Sequence, residues 1–434
     1  MSESRGTGIF RQVPSMAVAA RVAFAVAFAV CSTGCADADG ESSEADVRRW
    51  RESGRYHFEV TRDLDRAIAA FESLTVARPE DPEGLVGLGE ALANAPRDWS
   101  RAAGLFEAAI AVDSLNVDAH SGLFDAEVRV GDLSAAARAQ ERFARLRPDH
   151  PYPYIEAVRL AWLNDDPPAV ERALARLERS FPGDLTVRAW VAEERARIAL
   201  VGGRLRAADR HFVDALAHAS ARGDPSEIIE RTVDRAWALI WWSADTATAI
   251  ALVDSVTRVH PMASMPMDDW PFHYLAEFQA LAGRPAQAVA ILESHADHMD
   301  PPPEARPNPW WQAAWGLVAL DVGKPDEAVR RFRLWDEGIG CSICALGDLA
   351  RALEAAGEPD SAAVVWRRFL DTPDPQRIEW DPYYLALARE RLSAIYDEAG
   401  RTSDALELRN ALSRQWAEAD ADLPGRVTGE SGSG

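Results

Sequence analysis

Cys341 and Cys344 form the only C-x-x-C motif of the chain, in the stretch GIGCSICALGDLARAL. Such a pair can hold a haem, bind zinc, exchange disulfides or close a local disulfide. Covalent haem attachment needs a histidine directly after the second cysteine, and Ala345 occupies that position. A zinc site needs two further ligands, and the sequence contains no second C-x-x-C motif to supply them. Haem attachment is therefore excluded, and the other interpretations stay open.

The residues around the pair favour a disulfide over catalysis. The segment after Cys344 is typical of a helix, and a helix N-terminus activates a thiol for exchange, so redox chemistry stays an alternative. Thioredoxin-like proteins place the motif in a βαβ unit, whereas the flanking pattern here is helical on both sides. An oxidising compartment would favour a bond between the two cysteines. We predict a disulfide or unreactive thiols, with redox exchange or metal binding as alternatives.

Other patterns that would indicate catalysis are incomplete. The stretch GLVALDVGKP places Gly316 too far before Lys324 for a phosphate-binding loop, and Pro325 stands where a Ser or Thr is needed. The motifs of protein kinases, α/β-hydrolases and zinc proteases do not occur in the sequence. The stretch HADHMD, residues 295–300, offers weak metal ligands, but His295 falls at a position expected in a helical core. We therefore expect no enzymatic activity, no bound metal and no cofactor.

A repeated helical pattern positions these residues. A small residue followed by larger residues four and seven positions later, as in Ala67, Phe71 and Leu74, recurs about every 34 residues. These spacings place the three side chains on one face of a helix. The triplets begin at Ala67, Ala102, Ala136, Val170, Ala208, Ala249, Ala288, Ala328, Ala362 and Ala405. Three triplets contain a residue type that is less typical of its position, namely Gln140, His295 and Arg409.

A second helix is predicted before each triplet, as in Leu346, Leu349 and Leu353. Turns such as AGEPDSA and AGRTSDA separate the two helices, because glycine ends a helix and proline or Ser/Asp begins the next. With this period and these positions, residues 48–420 resemble the tetratricopeptide-repeat family. The resemblance implies an all-α fold, a right-handed superhelical solenoid of about ten helix-turn-helix repeats. In such a solenoid the first helices line a concave groove that holds a peptide or protein segment.

The resemblance also indicates which side chains face the groove. These are Trp162, Arg231, Trp241, Trp242, Trp270, His273, Glu277 and Trp310, with Glu90, Asp125, Arg159, Glu193, Asp234 and Glu390 as charged neighbours. An aromatic and acidic trough suits a segment that carries apolar or proline side chains together with Arg or Lys. Two alternatives stay open, because large aromatic residues also pack between repeats and stacked rings also bind sugars.

The first 34 residues are typical of a secretory signal, with an arginine followed by an apolar run from Val22 to Val30. The run is too short to span a bilayer, which needs about 20 residues. The stretch STGC resembles the lipobox of bacterial lipoproteins and predicts lipidation of Cys35, although Ser32 departs from the usual pattern. Ordinary secretion is the alternative. Residues 35–47 are predicted to form a flexible acidic tether, and residues 421–434 a disordered tail.

The charge balance limits the kinds of partner. The chain has 47 basic and 69 acidic residues and a formal net charge of −22, which excludes a nucleic-acid partner and favours a neutral or basic protein or peptide. We therefore predict a non-catalytic interaction scaffold, lipid-anchored to a bacterial membrane and extracytoplasmic, at the periplasmic face or the cell surface. The alternatives are a glycan- or peptide-binding lipoprotein of an uptake or envelope-assembly system, and a redox or metal function at Cys341 and Cys344.

Overall fold

The computed structural model describes residues 42–94, 97–298, 309–338 and 340–420, and within these ranges the chain forms twenty α-helices and no strand. The helices, numbered in chain order, are α1 (Glu44–Arg55), α2 (Leu64–Ala77), α3 (Pro82–Asn94), α4 (Trp99–Val112), α5 (Val117–Val130), α6 (Leu133–Leu146), α7 (Tyr152–Leu163), α8 (Pro167–Ser180), α9 (Leu185–Val201), α10 (Leu205–Arg222), α11 (Pro225–Ala238), α12 (Thr246–Val259), α13 (Phe272–Leu281), α14 (Pro285–Ala296), α15 (Pro309–Asp321), α16 (Pro325–Gly338), α17 (Leu346–Ala355), α18 (Pro359–Asp371), α19 (Arg377–Glu398) and α20 (Thr402–Gln415).

Consecutive helices pack in pairs, and each pair packs on the next, so the described chain is an α-solenoid of ten repeats. The predicted fold class is confirmed. The first helix begins at Glu44, inside the segment that we predicted to be a tether. The predicted lipidation site Cys35 and the predicted tail, residues 421–434, lie outside the described residues. Within the described ranges, no helix combines the length and the apolar character that crossing a bilayer requires.

Local sequence explains where the helices start and stop. The second helices α2, α4, α6, α8 and α12 are each capped by an aspartate whose carboxylate accepts a hydrogen bond from a backbone N–H three residues later. These caps are Asp63, Asp98, Asp132, Asp166 and Asp245. In the predicted turns, Gly357 and Gly400 have φ angles of 79° and 73°, which favour glycine.

The triplets predicted from the sequence form the core between paired helices. Every first member is buried, from Ala67 to Ala405. Arg409, the atypical member of the last triplet, has an exposed side chain, and the adjacent Leu408 is buried instead. Gln140 is half-buried and donates a hydrogen bond to the carbonyl oxygen of Pro153 at 2.7 Å. His295 differs from these two, because it is buried and neither ring nitrogen has a hydrogen-bond partner among the described residues.

Two small residues allow close helix contact. A Cβ on Gly122 of α5 would lie 2.5 Å from Cζ of Phe106, which fills the space between α4 and α5. A Cβ on Gly347 of α17 would overlap the ring of Tyr384 of α19. Protein interiors leave no room for such overlap, so both positions exclude larger side chains. The second glycine matters for the site described next, because it admits α19 to the interior.

Candidate functional site

The solenoid closes on itself, because α19 of the last repeat packs against α9 and α7 of the fifth and fourth repeats. The surface that receives α19 is formed by first-helix residues and the turn after α11. We call this surface the inner face, and it consists of Arg159, Trp162, Glu193, Glu194, Arg197, Arg231, Asp234, Trp237, Trp241 and Trp242. Several of these residues are those that the repeat resemblance placed in a groove. In this structure the chain's own helix lies over them.

Three hydrogen bonds join the inner face to α19. The indole N–H of Trp162 donates to Oδ2 of Asp381 at 2.9 Å. The guanidinium of Arg159 donates to Oε1 of Glu379 at 3.0 Å, and Arg159 is almost fully buried. The indole N–H of Trp242 donates to a backbone carbonyl oxygen of α19, at 3.1 Å. Trp162, Trp241 and Trp242 are all half-buried, and the ring of Trp241 lies 5.4 Å from that of Tyr384.

Buried charges on the inner face neutralise one another. Arg197 donates to Glu193 and to Glu194, both at 2.6 Å, and Arg231 donates to Glu193. Burial raises the pKa of Asp234 well above its usual range, and the neighbouring charge of Glu193 adds to the effect. Burial alone would also raise the pKa of Glu193, but Arg197 and Arg231 outweigh it and lower that pKa to about 2. The environment thus favours a proton on Asp234 over a proton on Glu193.

The C-terminal end of the solenoid is tied to the loop between α9 and α10. The side chains of Gln415 and Trp416 both donate to the carbonyl oxygen of Val201, at 2.8 and 3.1 Å. Oδ2 of Asp420 accepts a hydrogen bond from the backbone N–H of Arg206 at 2.9 Å. This N–H is one of the unpaired donors at the start of α10, so Asp420 caps that helix from 214 residues away.

The loop that contains the cysteine pair joins early and late repeats. Cys341 and Cys344 are bonded as a disulfide. The N–H of Ser342 donates to Oδ2 of Asp374 at 2.8 Å, and Arg129 of the third repeat donates to the same carboxylate at 3.0 Å. Arg97, after α3, donates to the carbonyl oxygen of Cys341 at 3.4 Å. Both cysteines are at most 3% exposed, which disfavours attack by an external thiol.

Other predicted residues lie in separate places. His273 and Glu277 are buried one turn apart on α13, and the ring of His273 lies 5.2 Å from that of Trp310. Burial lowers the pKa of His273 to about 3 and raises that of Glu277 well above its usual range. Trp270 precedes α13, and its ring lies 5.2 Å from that of His298, after α14, so it contacts the second helix of its own repeat.

The HADHMD stretch is described only as far as His298. His295 stacks on Phe272 at 3.7 Å and is 2% exposed, so it is a core residue. Across the described ranges, no group of three or more His, Cys, Asp or Glu side chains is placed to hold a metal ion.

The residues of α19 were missed by the sequence reasoning. Glu379, Trp380, Asp381 and Tyr384 contact the inner face or the repeats beside it, yet only Glu390 of this helix was predicted near the groove. One signal was present. α19 has 22 residues, whereas the other first helices have 10 to 17, and its first turns carry the acidic and aromatic run IEWDPYY. A first helix of this length extends past the other helix of its repeat, so part of its surface can contact another part of the chain.

Glu156 of α7 is a buried carboxyl group, and its replacement tests whether it is protonated in the folded protein. It is 1% exposed, and neither carboxyl oxygen has a hydrogen-bond partner among the described residues. Burial raises its pKa well above the usual value, and the charge of Asp125 adds to that effect. A carboxyl whose pKa is raised by folding contributes most stability below its unfolded pKa, about 4.5, and loses that contribution as pH rises through the folded pKa.

We therefore expect Glu156→Gln to stabilise the protein relative to wild type at pH 8, by about 1–3 kcal/mol, and to give a smaller difference at pH 5. The free energy of unfolding, measured by urea denaturation at several pH values, checks this. Glu407→Gln is the control, because Glu407 is exposed on α20 and its replacement should leave the pH dependence unchanged. A Glu156→Gln difference that does not grow with pH would show that Glu156 is ionised in the fold.

The sequence matches no protein-family profile and no curated protein. Among solved structures, a tetratricopeptide repeat protein from Parabacteroides merdae ATCC 43184 shares 11% identity, with 75% of this chain and 100% of that chain covered and a TM-score of 0.31. The TPR domain of P58(IPK) shares 16% identity over 82% and 99%, with a TM-score of 0.24.

The APC/C hetero-tetramer Cut9–Hcn1 shares 12% identity over 86% of this chain and 73% of that chain, with a TM-score of 0.39. The first two of these structures are described as tetratricopeptide repeat proteins. Sequence identity this low supports a comparison of folds only. We therefore draw no conclusion about activity or partners from these three structures.

Proposed function

We propose that this chain is a non-catalytic protein-interaction scaffold that binds a peptide or protein segment at the inside of its solenoid. The observation that supports the proposal is the packing of α19 on the inner face. The inner face binds a helix through indole N–H donors and a buried arginine, at Trp162, Arg159 and Trp242. The first helices therefore present side chains that recognise a polypeptide.

We propose that the partner segment binds beside α19, at Trp241 and Trp310. Trp241 and Trp310 are half-buried, so part of each indole is accessible although both residues belong to the inside of the solenoid. Trp241 follows α11 and Trp310 lies on α15, so both belong to repeats that come before α19 in the chain. The net charge of −22 favours a basic or neutral partner, as electrostatic steering requires opposite charge.

We further propose that the mature chain is lipidated at Cys35 and extracytoplasmic, at the periplasmic face or the surface of a bacterial cell. The lipobox-like stretch supports the anchor. The bonded pair Cys341 and Cys344 supports an oxidising compartment, because cytosolic thiols are kept reduced.

Affinity capture from membrane extracts tests the scaffold. We expect Trp241→Ala and Trp310→Ala to reduce recovery of the specific partner at least tenfold, because each removes an accessible aromatic contact. Trp50→Ala, on α1, is the control for loss of a half-buried tryptophan elsewhere. Circular dichroism establishes that each variant is folded. Unchanged recovery with both inside variants would contradict the proposal.

The same experiment separates the redox alternative. We expect the double variant Cys341→Ser, Cys344→Ser to keep its partner, and to lose about 2 kcal/mol of stability because a four-residue loop is no longer closed. Loss of function in a folded double variant would favour the redox alternative. The closure of the inner face by α19 favours a glycan- or peptide-binding component as the second candidate. Binding of an oligosaccharide to the purified chain, with no protein captured, would establish it.

The anchor has its own prediction. Cys35→Ser should move the protein from the membrane fraction to the soluble fraction, because the variant lacks the thiol predicted to carry the acyl chain. Fractionation followed by immunoblotting measures this, with Cys31→Ser as the matched control. Membrane retention of Cys35→Ser equal to wild type would rule out lipidation as the means of attachment.

A further inference from the structure

A wall of aromatic rings runs through the inside of the later repeats. The ring of Trp310 on α15 lies 5.2 Å from His273 on α13 and 5.9 Å from Trp335 on α16. Trp335 lies 5.8 Å from Trp380 on α19, which stacks at 6.0 Å on Tyr384 of the same helix. Rings from four helices therefore form one continuous surface between α13 and α19.

Glu277 closes this wall into a circuit. It lies four residues after His273, so both side chains are on one face of α13. The charge of Asp348 adds to the rise in the pKa of Glu277, and the charge of Glu277 contributes to the raised pKa of Tyr384, so the three groups share one electrostatic environment. We call the set of His273, Glu277, Trp310, Trp335, Asp348, Trp380 and Tyr384 the aromatic circuit.

Three polar atoms of the circuit have no partner among the described residues. These are Nε1 of Trp335, which is 2% exposed, and, one turn apart on α13, Oε1 of Glu277 and Nε2 of His273, which are 7% and 9% exposed. A buried polar group without a hydrogen bond costs about 1–3 kcal/mol. Two such groups one turn apart, surrounded by rings, indicate a place where a ligand supplies the missing contacts.

The circuit has accessible surface for such a ligand. Trp310 and Trp380 are half-buried, whereas Trp335 and Tyr384 between and beside them are at most 5% exposed. Part of each of these two indoles is therefore accessible to solvent or to a small group.

The charges of the circuit favour a cation. Asp348 already pairs with Arg351 at 2.6 Å, so Glu277 is the carboxyl group left without a counter-ion. The faces of tryptophan and tyrosine rings attract ammonium and guanidinium groups, and the attraction grows when water is excluded. A neutral sugar would need several hydrogen-bond donors and acceptors, and the wall offers mainly ring surface.

We propose that the aromatic circuit binds an organic cation, the guanidinium or ammonium group of a basic side chain, and that the carboxyl group of Glu277 releases its proton to solvent on binding and becomes the counter-ion. This inference rests on the proposed function, since it names the chemical group that the inside of the solenoid recognises in a partner segment. His273 orients the group through Nε2, and Trp310 and Trp380 cover its faces. A free alkylammonium compound shares this chemistry and is the other source of the ligand.

Calorimetric titration of the purified full chain tests the proposal with defined probes. These are Nα-acetyl-arginine amide, its neutral analogue Nα-acetyl-citrulline amide, and tetramethylammonium. We expect the arginine probe to bind at least tenfold more tightly than the citrulline probe, because only the former carries the charge. Binding of tetramethylammonium without the arginine probe would support the cation site and assign it to a free amine.

The variants separate charge from shape. Glu277→Gln should weaken binding of the arginine probe at least tenfold, and Trp310→Leu should do so through loss of the ring face. Glu293→Gln, an exposed position on α14, should bind like wild type. If Glu277→Gln does not fold, the comparison of arginine and citrulline probes and the Trp310→Leu variant still decide.

Equal binding of the arginine and citrulline probes, or no binding of any cation, would overturn the cation site. Unchanged affinity of folded Glu277→Gln would do the same. These failures are distinct from failure of the scaffold, because partner capture that depends on Trp241 and Trp310 would persist without a cation site.

Discussion

The docking of α19 across α7 and α9 is the interaction on which the rest of the structure depends. An open solenoid would leave the inner face in water, where its arginines and carboxylates need no protein partner. With α19 in place, Arg159 is 5% exposed and Glu194 is 0% exposed, so each must be neutralised within the protein. Breaking one member of a buried pair costs about 3–5 kcal/mol, because its partner stays buried. Closure thereby makes the inner charges interdependent.

Contacts outside α19 hold the same closure. The disulfide loop at Cys341 connects Arg97 and Arg129 of the early repeats with Asp374, which is fully buried. At the other end, Asp420 caps α10. A repeat protein normally contacts only its neighbours in sequence, so its stability is a sum of local terms. Here repeats two to five contact repeats eight to ten, which adds long-range terms to that sum and confines any ligand to the space that α19 leaves.

The repeat itself was predictable, because paired helices need apolar residues at short, regular spacings in the sequence. Ala67, Phe71 and Leu74 recur with the period of a helix face, and the glycine turns at Gly357 and Gly400 follow from local backbone chemistry. The register of the last triplet was not predictable in the same way, because Leu408 and Arg409 are adjacent and either one satisfies a degenerate pattern.

The closure of the solenoid by α19 could not be predicted from the repeat period. Trp162 and Asp381 are 219 residues apart, and no repeat pattern links them. The same holds for Asp420, whose capping of α10 depends on the overall path of the superhelix. The inner-face residues Trp162, Trp241 and Arg231 were found because their positions recur on first helices. That they face another part of the chain could not be found, since groove-lining and interior positions share one spacing.

A double-mutant cycle on Trp162→Phe and Asp381→Ala tests the closure most directly. The two side chains meet only if α19 lies across α7. The account predicts that the two single losses in unfolding free energy do not add and that the coupling energy is about 1 kcal/mol. Strict additivity, with a coupling indistinguishable from zero, would contradict the docking of α19 on the inner face.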